Sequence, residues 1–316
     1  MKVVLFIIAL LLTSCFVAQE KYSQEVGFIT DNDLYVSTQR DRYYSSGVFL
    51  SYRYLSKKKQ QHLEKLSYEW KLGHEIYTPI RPTVETIDLH DRPFAGHLYG
   101  SFGINRVFKN NKIINTSLQL GFLGPNAFGE QIQNFIHNIY GFRRATGWKY
   151  QIKSALSLNI NAQYIKTITS TETNMFDLTW TNSGSVGTVF SNMSSGILGR
   201  IGLKPLQNIK NSIAFNSHLN NNNTTFFREV ESFVFFKPSL QYVFYDATLQ
   251  GSFLNKNSVV TKEIKPIVFN IELGILFTAN RFNLGYSYIY NSKRSEGLRS
   301  RNGHKYGRIT VNYLLD

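Results

Sequence analysis

Two groups of polar residues in the first half of the sequence contain the side chains that could do chemistry. The first group includes Asn32 and Asp33 and extends through Asp41 to Ser45. Clustered carboxylate and amide oxygens are suitable ligands for calcium, and they could also hold an ester through hydrogen bonds. The spacing is not that of an EF-hand loop, and Asp and Asn also cluster in ordinary turns. The residues therefore allow either a calcium site or a turn.

The second group combines a glutamine and a histidine on a short predicted helix. A Gly-Pro pair at positions 124–125 is expected to end a strand. Gln131–Tyr140 can then form a helix, which Gly147 would end. Gln133 and His137 are four residues apart and would share one helix face. The histidine could act as a general base and the glutamine as its orienter or as an oxyanion donor, although an ordinary surface helix fits the same residues.

Composition narrows the class of protein that must position these side chains. The chain has 316 residues, a formal net charge of +14, 42% hydrophobic residues and 15% aromatic residues. Its single cysteine, Cys15, excludes a disulfide scaffold and a multi-cysteine metal site. After residue 12, no stretch reaches the ~18 consecutive apolar residues of a membrane-spanning helix. Abundant Tyr, Phe, Ser, Thr and Asn favour strands over helices.

The start of the chain has the pattern of an export signal. Val3–Leu12 is an apolar segment of signal-peptide length behind a positively charged start. Cleavage after Ala18 is favoured, which makes residues 1–18 a signal peptide and leaves a single domain over residues 19–316. A lipoprotein-type cleavage before Cys15 is the alternative. An exported chain is not expected to be a cytosolic enzyme or to bind nucleic acid, even though its pI is near 9.7.

Apolar and polar residues alternate along many segments, which predicts β-strands. The pattern is regular in Ala155–Tyr164, Arg281–Tyr290 and Tyr306–Leu314. Successive side chains on a strand point to opposite faces, so each segment has one apolar face and one polar face. A soluble sandwich would bury the apolar face. A barrel in an outer membrane would turn that face outward to lipid.

Three features favour the barrel over the sandwich. The segments have about ten residues, which suits a tilted strand that crosses a membrane, and aromatic residues lie near their ends. Connections are unequal, being tight near Phe277–Arg281 and long and polar at Leu206–Thr225 and Asn291–Asn302. We expect an all-β, antiparallel, transmembrane β-barrel of about twelve strands in the bacterial outer membrane, with short helical insertions near the candidate site. A closed barrel has no free strand edge, so a monomer is expected.

An ordered series of motifs resembles the outer-membrane lipid A deacylases of the LpxR type. The motifs span residues 32–202 in the family's order, and the last third of the chain resembles the family mainly in its strand pattern. They are Asn32-Asp33, Asp41 to Gly47, Gly73 to Pro79, Asp91 to Gly96, Leu120 to Pro125, Gln133 to His137, Gly147-Trp148, Gly184 to Gly187 and Gly196 to Gly202.

The resemblance implies a fold, an activity and a role for each matching residue. The family's barrel performs calcium-dependent hydrolysis of the 3′-linked acyloxyacyl chain of lipid A, at a site between the barrel wall and the outer leaflet. By its place in the motif, His137 would be the general base that activates a water, and Gln133 the glutamine one turn before it. Asn32 and Asp33 would lie at the calcium and oxyanion site. Ser45 stands where the family usually has threonine.

Some assignments stay open at this level. Certain family members have a catalytic lysine in the loop where this sequence has Arg81, whose guanidinium could neutralise an oxyanion or a phosphate. The nucleophile is either water, which the resemblance favours, or Ser45. No Gly-x-Ser-x-Gly motif is present. The other hypotheses are an outer-membrane phospholipase or other acyl hydrolase, and a structural or binding barrel with no activity.

Overall fold

The computed structural model describes residues 21–37, 41–58, 60–224 and 230–316, so the predicted signal peptide and Cys15 lie outside the described part. Twelve antiparallel strands form one closed barrel in which sequential strands pair and the last strand pairs with the first. This confirms the predicted fold class. The strands are β1 (Gln24–Asn32), β2 (Tyr43–Leu55), β3 (Leu63–Thr78), β4 (Ala95–Phe108), β5 (Lys112–Leu123), β6 (Ala155–Ser170), β7 (Phe176–Gly187), β8 (Phe190–Gly202), β9 (Ser232–Asp246), β10 (Ile267–Ala279), β11 (Phe282–Asn291) and β12 (His304–Leu315).

The two faces of the barrel wall have opposite polarity. Along β6, the side chains of Leu156, Leu158 and Ile160 point outward and are exposed, whereas Ser157 and Asn159 point inward and are buried. A continuous apolar outer surface is costly in water and suits hydrocarbon. The alternation therefore encodes a barrel with a polar interior rather than a sandwich. None of the described helices is long and apolar enough to span a membrane.

One end of the barrel, which holds the start of β1 and the end of β12, is closed by a long connection. Residues 203–231 join β8 to β9 and include the whole of the polar connection predicted at Leu206–Thr225. In its described part, Ile213 and Phe215 pack in an apolar cluster with Phe233. The end of β1 and the start of β2, which carry the first group of candidate residues, lie at the other end.

A helical insertion between β5 and β6 occupies that other end. Its helix α1 (Gly129–Tyr140) confirms the helix predicted over 131–140. The helix ends at Gly141, which has the left-handed conformation (φ 68°) that closes helices at a glycine. The prediction that Gly147 ends the helix is wrong. Gly147 instead begins a short 3-10 turn and is packed against the ring of Phe94, where a Cβ would not fit.

The insertion packs on the outer surface of the barrel wall, not in the lumen. The start of α1 lies close to β4, because a Cβ on Gly96 would come 3.0 Å from the backbone nitrogen of Gly129. Ile76 of β3 points outward, in the same row as exposed Leu72, and is covered by Trp148. The side chains of α1 that face inward are thus pressed against the outside of the wall.

Candidate active site

Gln133 and His137 face a carboxylate at the start of β2. Both side chains are buried on one face of α1. Nε2 of Gln133 donates a hydrogen bond of 2.8 Å to Oδ1 of Asp41, and Nε2 of His137 lies 3.2 Å from Oδ2 of the same carboxylate. The predicted pairing of glutamine and histidine on one helix face is confirmed, and Asp41 joins them into one polar cluster.

The orientation of the Gln133 amide is fixed by a tryptophan. The indole Nε1 of Trp148 donates a 2.7 Å hydrogen bond to Oε1 of Gln133. Because an indole N–H can only donate, the oxygen of the amide must face Trp148 and the NH2 group must face Asp41. Trp148 is almost fully buried, so this arrangement is held by packing as well as by the hydrogen bond.

The ring of His137 is oriented by the chain that follows the helix. After Gly141 the backbone turns back, and the N–H of Phe142 donates to the carbonyl of His137 at 2.8 Å. Nδ1 of His137 then lies 2.6 Å from the carbonyl oxygen of Arg143. A carbonyl oxygen can only accept, so Nδ1 carries a proton and Nε2 is the nitrogen that faces Asp41.

Asp41 is held by its backbone as well as by its side chain. Its φ of 52° lies in the left-handed region, which Asp tolerates better than most residues. Its carbonyl oxygen accepts a 2.6 Å hydrogen bond from Oγ1 of Thr78 at the end of β3. The carboxylate is therefore fixed at a strand end, where a rigid wall can support it.

Asn32 and Asp33 lie at the neighbouring strand end. Oδ1 of Asn32 accepts the N–H of Leu34 at 2.8 Å and caps a short 3-10 turn. Asp33 is buried, and its Oδ2 accepts the N–H of Arg42 at 2.9 Å. Burial raises the pKa of Asp33 to about 7, and the charge of Asp41 adds to this rise, while the hydrogen bond from Arg42 opposes it.

The donor atoms at this strand end fit calcium in their chemistry. Calcium prefers carboxylate, amide and carbonyl oxygens, and Asp33 and Asp41 provide two neighbouring carboxylates with Asn32 beside them. A buried carboxyl whose pKa is raised in this way is one whose charged form would gain from a nearby cation. Within the described ranges, no group of three or more His, Cys, Asp or Glu side chains is arranged to hold a metal ion, so amide, backbone or water oxygens would have to complete the coordination.

The other two predicted site residues are placed differently from the cluster. Ser45 is buried, and its Oγ donates to the backbone carbonyl of Ile76 at 3.2 Å. Arg81 is exposed in the connection from β3 to β4. The next residue, Pro82, accepts the N–H of Thr146 through its carbonyl oxygen at 3.1 Å, which ties this connection to the segment that leads into Trp148.

Sequence reasoning missed three parts of the site: the carboxylate of Asp41, the indole of Trp148 and the carbonyl of Arg143. Asp41 and Trp148 lie in motifs that the sequence singled out, but their partners could not be assigned. The contact between Gln133 and Asp41 spans 92 residues of the chain. The signal in the sequence was a short polar cluster that includes Asp41, and that pattern is also typical of an ordinary turn.

The comparisons with known proteins agree with this architecture. The family model described as "Outer membrane protein LpxR" matches residues 5–315. The structure is similar to that of LpxR from Salmonella typhimurium, with a TM-score of 0.74 and 18% sequence identity, over 92% of this chain and 100% of that chain. At this level of identity, the structural likeness supports the fold.

Two other barrels are more distant. The β-domain of the Bordetella autotransporter BrkA has a TM-score of 0.47 and 9% identity, over 93% of this chain and 99% of that chain. The translocator domain of NalP from Neisseria meningitidis has a TM-score of 0.39 and 10% identity, over 97% of this chain and 92% of that chain. Neither likeness carries an argument about function. No curated protein matches the chain.

Proposed function

Because the chain belongs to the LpxR family of outer membrane proteins, we propose that it is a lipid A deacylase that hydrolyses the 3′-linked acyloxyacyl ester. The observation that carries this proposal is the cluster of Gln133, His137 and Asp41. It lies on the outer surface of the barrel, at the end opposite the start of β1 and the end of β12. A lipid in the outer leaflet could reach a site in that position without entering the lumen.

His137 is the group that we assign as general base. Its Nδ1 proton is held on the carbonyl of Arg143, so Nε2, which faces Asp41, is the ring atom that would accept a proton from a water molecule bound beside that carboxylate. As the water oxygen attacks the ester carbonyl, its proton passes to Nε2. Asp41 stabilises the imidazolium that forms. The imidazolium then gives the proton to the leaving sugar oxygen, so that one ester and one water become one carboxylic acid and one alcohol.

The remaining charged and polar groups serve the developing oxyanion and the substrate. One N–H of the Gln133 amide is used by Asp41, and we assign the other to the oxyanion. Asp33, Asn32 and Asp41 would hold calcium, which supplies positive charge beside that oxygen. Arg81, in the exposed loop, would neutralise a phosphate or the oxyanion. Ser45 keeps the strand end in place through its hydrogen bond to Ile76.

Mass spectrometry of lipid A from cells that express the chain tests this proposal. Loss of a mass equal to one acyloxyacyl group is expected with the wild-type chain, and it should disappear on calcium chelation and in His137→Ala. Phospholipids offered beside lipid A separate the proposed activity from that of a general acyl hydrolase. Unchanged lipid A from cells in which the folded barrel is present in the outer membrane would refute the proposal.

A further inference from the structure

An apolar groove runs along the outer surface of the wall formed by β2 to β5. Gly100 of β4 forms its floor, and no heavy atom outside its chain neighbours lies within 4 Å of the place where a Cβ would be. The groove has a volume of about 580 Å³. Its sides are formed by apolar side chains: Leu50, Trp70, Leu72, Phe102, Leu118 and Leu120. We call this surface the Gly100 groove.

The Gly100 groove lies directly below the candidate site on the same face of the wall. Gly100 pairs with Leu72 on β3, and four residues further along each strand Gly96 pairs with Ile76. At about 3.3 Å per residue, this separation is about 13 Å. Gly96 and Ile76 are the residues on which the helical insertion packs. The groove therefore lies on the same outer face as the insertion, nearer the middle of the barrel wall, with the row that contains Leu98 between them.

The fold does not require a glycine at position 100. Glycine inside a strand costs about 0.5–1 kcal/mol relative to alanine and usually marks a bulge or a close backbone approach. Gly100 does not have positive φ, and the pairing of β4 with β3 and β5 has no register shift near it. Open space rather than another backbone faces it. The absence of a side chain at position 100 therefore opens the groove, and the strand has no other need for glycine there.

We propose that the Gly100 groove binds the acyl chain of lipid A that is hydrolysed, and that Gly100 determines which chains are accepted. This inference rests on the proposed function, because the ester must lie at His137 while its chain extends along the wall. The groove is apolar, as an alkyl chain requires, and it lies along the wall about 13 Å from the residues on which the insertion packs. Its occupant is a chain whose ester is fixed at one end, which distinguishes it from passing membrane lipids.

Substitution of Gly100 by leucine tests the selectivity directly. Gly100→Leu fills the floor, so turnover of lipid A with long 3′-linked chains should fall by about tenfold or more relative to lipid A with short chains. Gly100→Ala should give a smaller shift in the same direction. Gly184→Leu on β7 is the matched control, because a Cβ there would meet its nearest neighbour at 3.7 Å. An unchanged ratio of long-chain to short-chain turnover in folded Gly100→Leu would overturn the proposal.

A binding measurement separates this inference from the proposed activity. Trp70 lines the groove and is 56% exposed, Trp180 is the other exposed tryptophan at 43%, and Trp148 is buried. In His137→Ala with Trp180→Phe, synthetic lipid A with a brominated 3′-linked chain should quench Trp70 fluorescence to saturation in detergent micelles. Gly100→Leu should abolish the saturable part. Brominated phospholipid should quench without saturation.

The results that would refute the groove assignment differ from those that would refute the deacylase activity. Saturable quenching, together with no hydrolysis by the wild-type chain, would support the groove assignment and refute the proposed deacylase activity. Equal quenching by brominated phospholipid and brominated lipid A, or saturable quenching that persists in Gly100→Leu, would overturn the groove assignment whatever the outcome for hydrolysis.

Discussion

Nε2 of His137 lies 3.2 Å from Oδ2 of Asp41, while Nδ1 of the same ring lies 2.6 Å from the carbonyl oxygen of Arg143. Neither the carbonyl nor an ionised carboxylate can donate. The histidine therefore keeps a proton on Nδ1 and presents Nε2 to the carboxylate of Asp41. This geometry makes Asp41 the partner that favours proton uptake by Nε2, which is the step that the proposed reaction needs.

Replacement of Asp41 by asparagine should lower turnover strongly. The amide keeps the size of the side chain but removes the charge that stabilises the imidazolium, and losses of general-base catalysis are ~10²- to 10⁴-fold. Deacylation rates of purified Asp41→Asn and wild-type protein would measure the loss. Asp88→Asn, at an exposed position in the β3–β4 connection, is the control. Equal rates for all three proteins would exclude Asp41 from the reaction.

Replacement of Trp148 by phenylalanine should disturb Gln133 without emptying its pocket. The variant loses the donor to Oε1 of Gln133, so the amide is free to turn over. One neutral hydrogen bond contributes about 0.5–1.5 kcal/mol, and we expect turnover to fall by up to ~tenfold. If Trp148 acts through Gln133, the turnover of Gln133→Ala should be lower than that of Trp148→Phe. The double variant should then have nearly the same turnover as Gln133→Ala alone. Full additivity of the two losses would contradict this role.

Replacement of Ser45 by alanine should decide between the two nucleophiles. With water as the nucleophile, the variant loses only the hydrogen bond to the carbonyl of Ile76. The lost hydrogen bond costs about 0.5–1.5 kcal/mol in stability, and turnover of the folded protein should stay within ~tenfold of wild type. Intact-protein mass spectrometry should show no acyl adduct. An adduct on Ser45, or complete loss of activity in folded Ser45→Ala, would make Ser45 the nucleophile.

Calcium affinity should depend on pH through Asp33. Burial raises the pKa of this carboxyl to about 7, so in the metal-free protein it binds a proton more readily than an ordinary Asp with a pKa of about 3.9. That proton must leave before the carboxylate can hold calcium. Affinity should therefore weaken as pH falls from roughly 8 to 6. Calorimetric titration of the purified protein would measure it, and in Asp33→Asn the remaining affinity should lack this pH dependence.

The same shift predicts how the metal-free protein responds to pH. Because the pKa of Asp33 in the folded state, about 7, lies above its ordinary value of 3.8, the folded state binds more protons between these two values. The contribution of Asp33 to folding stability is present below about pH 4 and is lost as pH rises through about 7. Thermal unfolding in the presence of a chelator would reveal this trend, which Asp33→Asn should remove.

Arg81 should contribute through its charge rather than through packing. It is exposed, so Arg81→Ala should leave the unfolding temperature unchanged while turnover falls. Arg81→Lys keeps a positive charge and should restore much of the activity, since a lysine occupies this loop in part of the family that the chain resembles. Equal turnover for Arg81→Ala and wild type would remove Arg81 from the site.

The sequence predicted the features that depend on local periodicity. Alternation along segments such as Ala155–Tyr164 predicted strands with one lipid-facing side, and the closed barrel confirms this. The four-residue spacing of Gln133 and His137 predicted one shared helix face, which the structure also confirms. The end of the helix was predicted wrongly at Gly147. Gly141 and Gly147 both follow the helix in sequence. The helix ends at the nearer one, Gly141, which has the left-handed conformation.

Ser45, Arg81 and the calcium site remain predictions. Asn32 is the last residue of β1 and Ser45 lies near the start of β2, but both side chains are engaged with backbone groups. Asp33 is placed next to Asp41, as a calcium site requires. These assignments come from the order of the motifs in the sequence. The positions of the side chains do not by themselves identify a reaction.

The amino-acid sequence by itself determined the fold class, because side-chain alternation is a property of each strand and needs no knowledge of its neighbours. It also placed Gln133 and His137 together, because one helical turn fixes their spacing. Only the tertiary structure decided that Asp41 meets them, because barrel closure and packing of α1 on the outer wall bring together residues 92 positions apart. The Gly100 groove arises in the same way. Its floor and sides come from four strands, and their register decides which side chains surround the missing one.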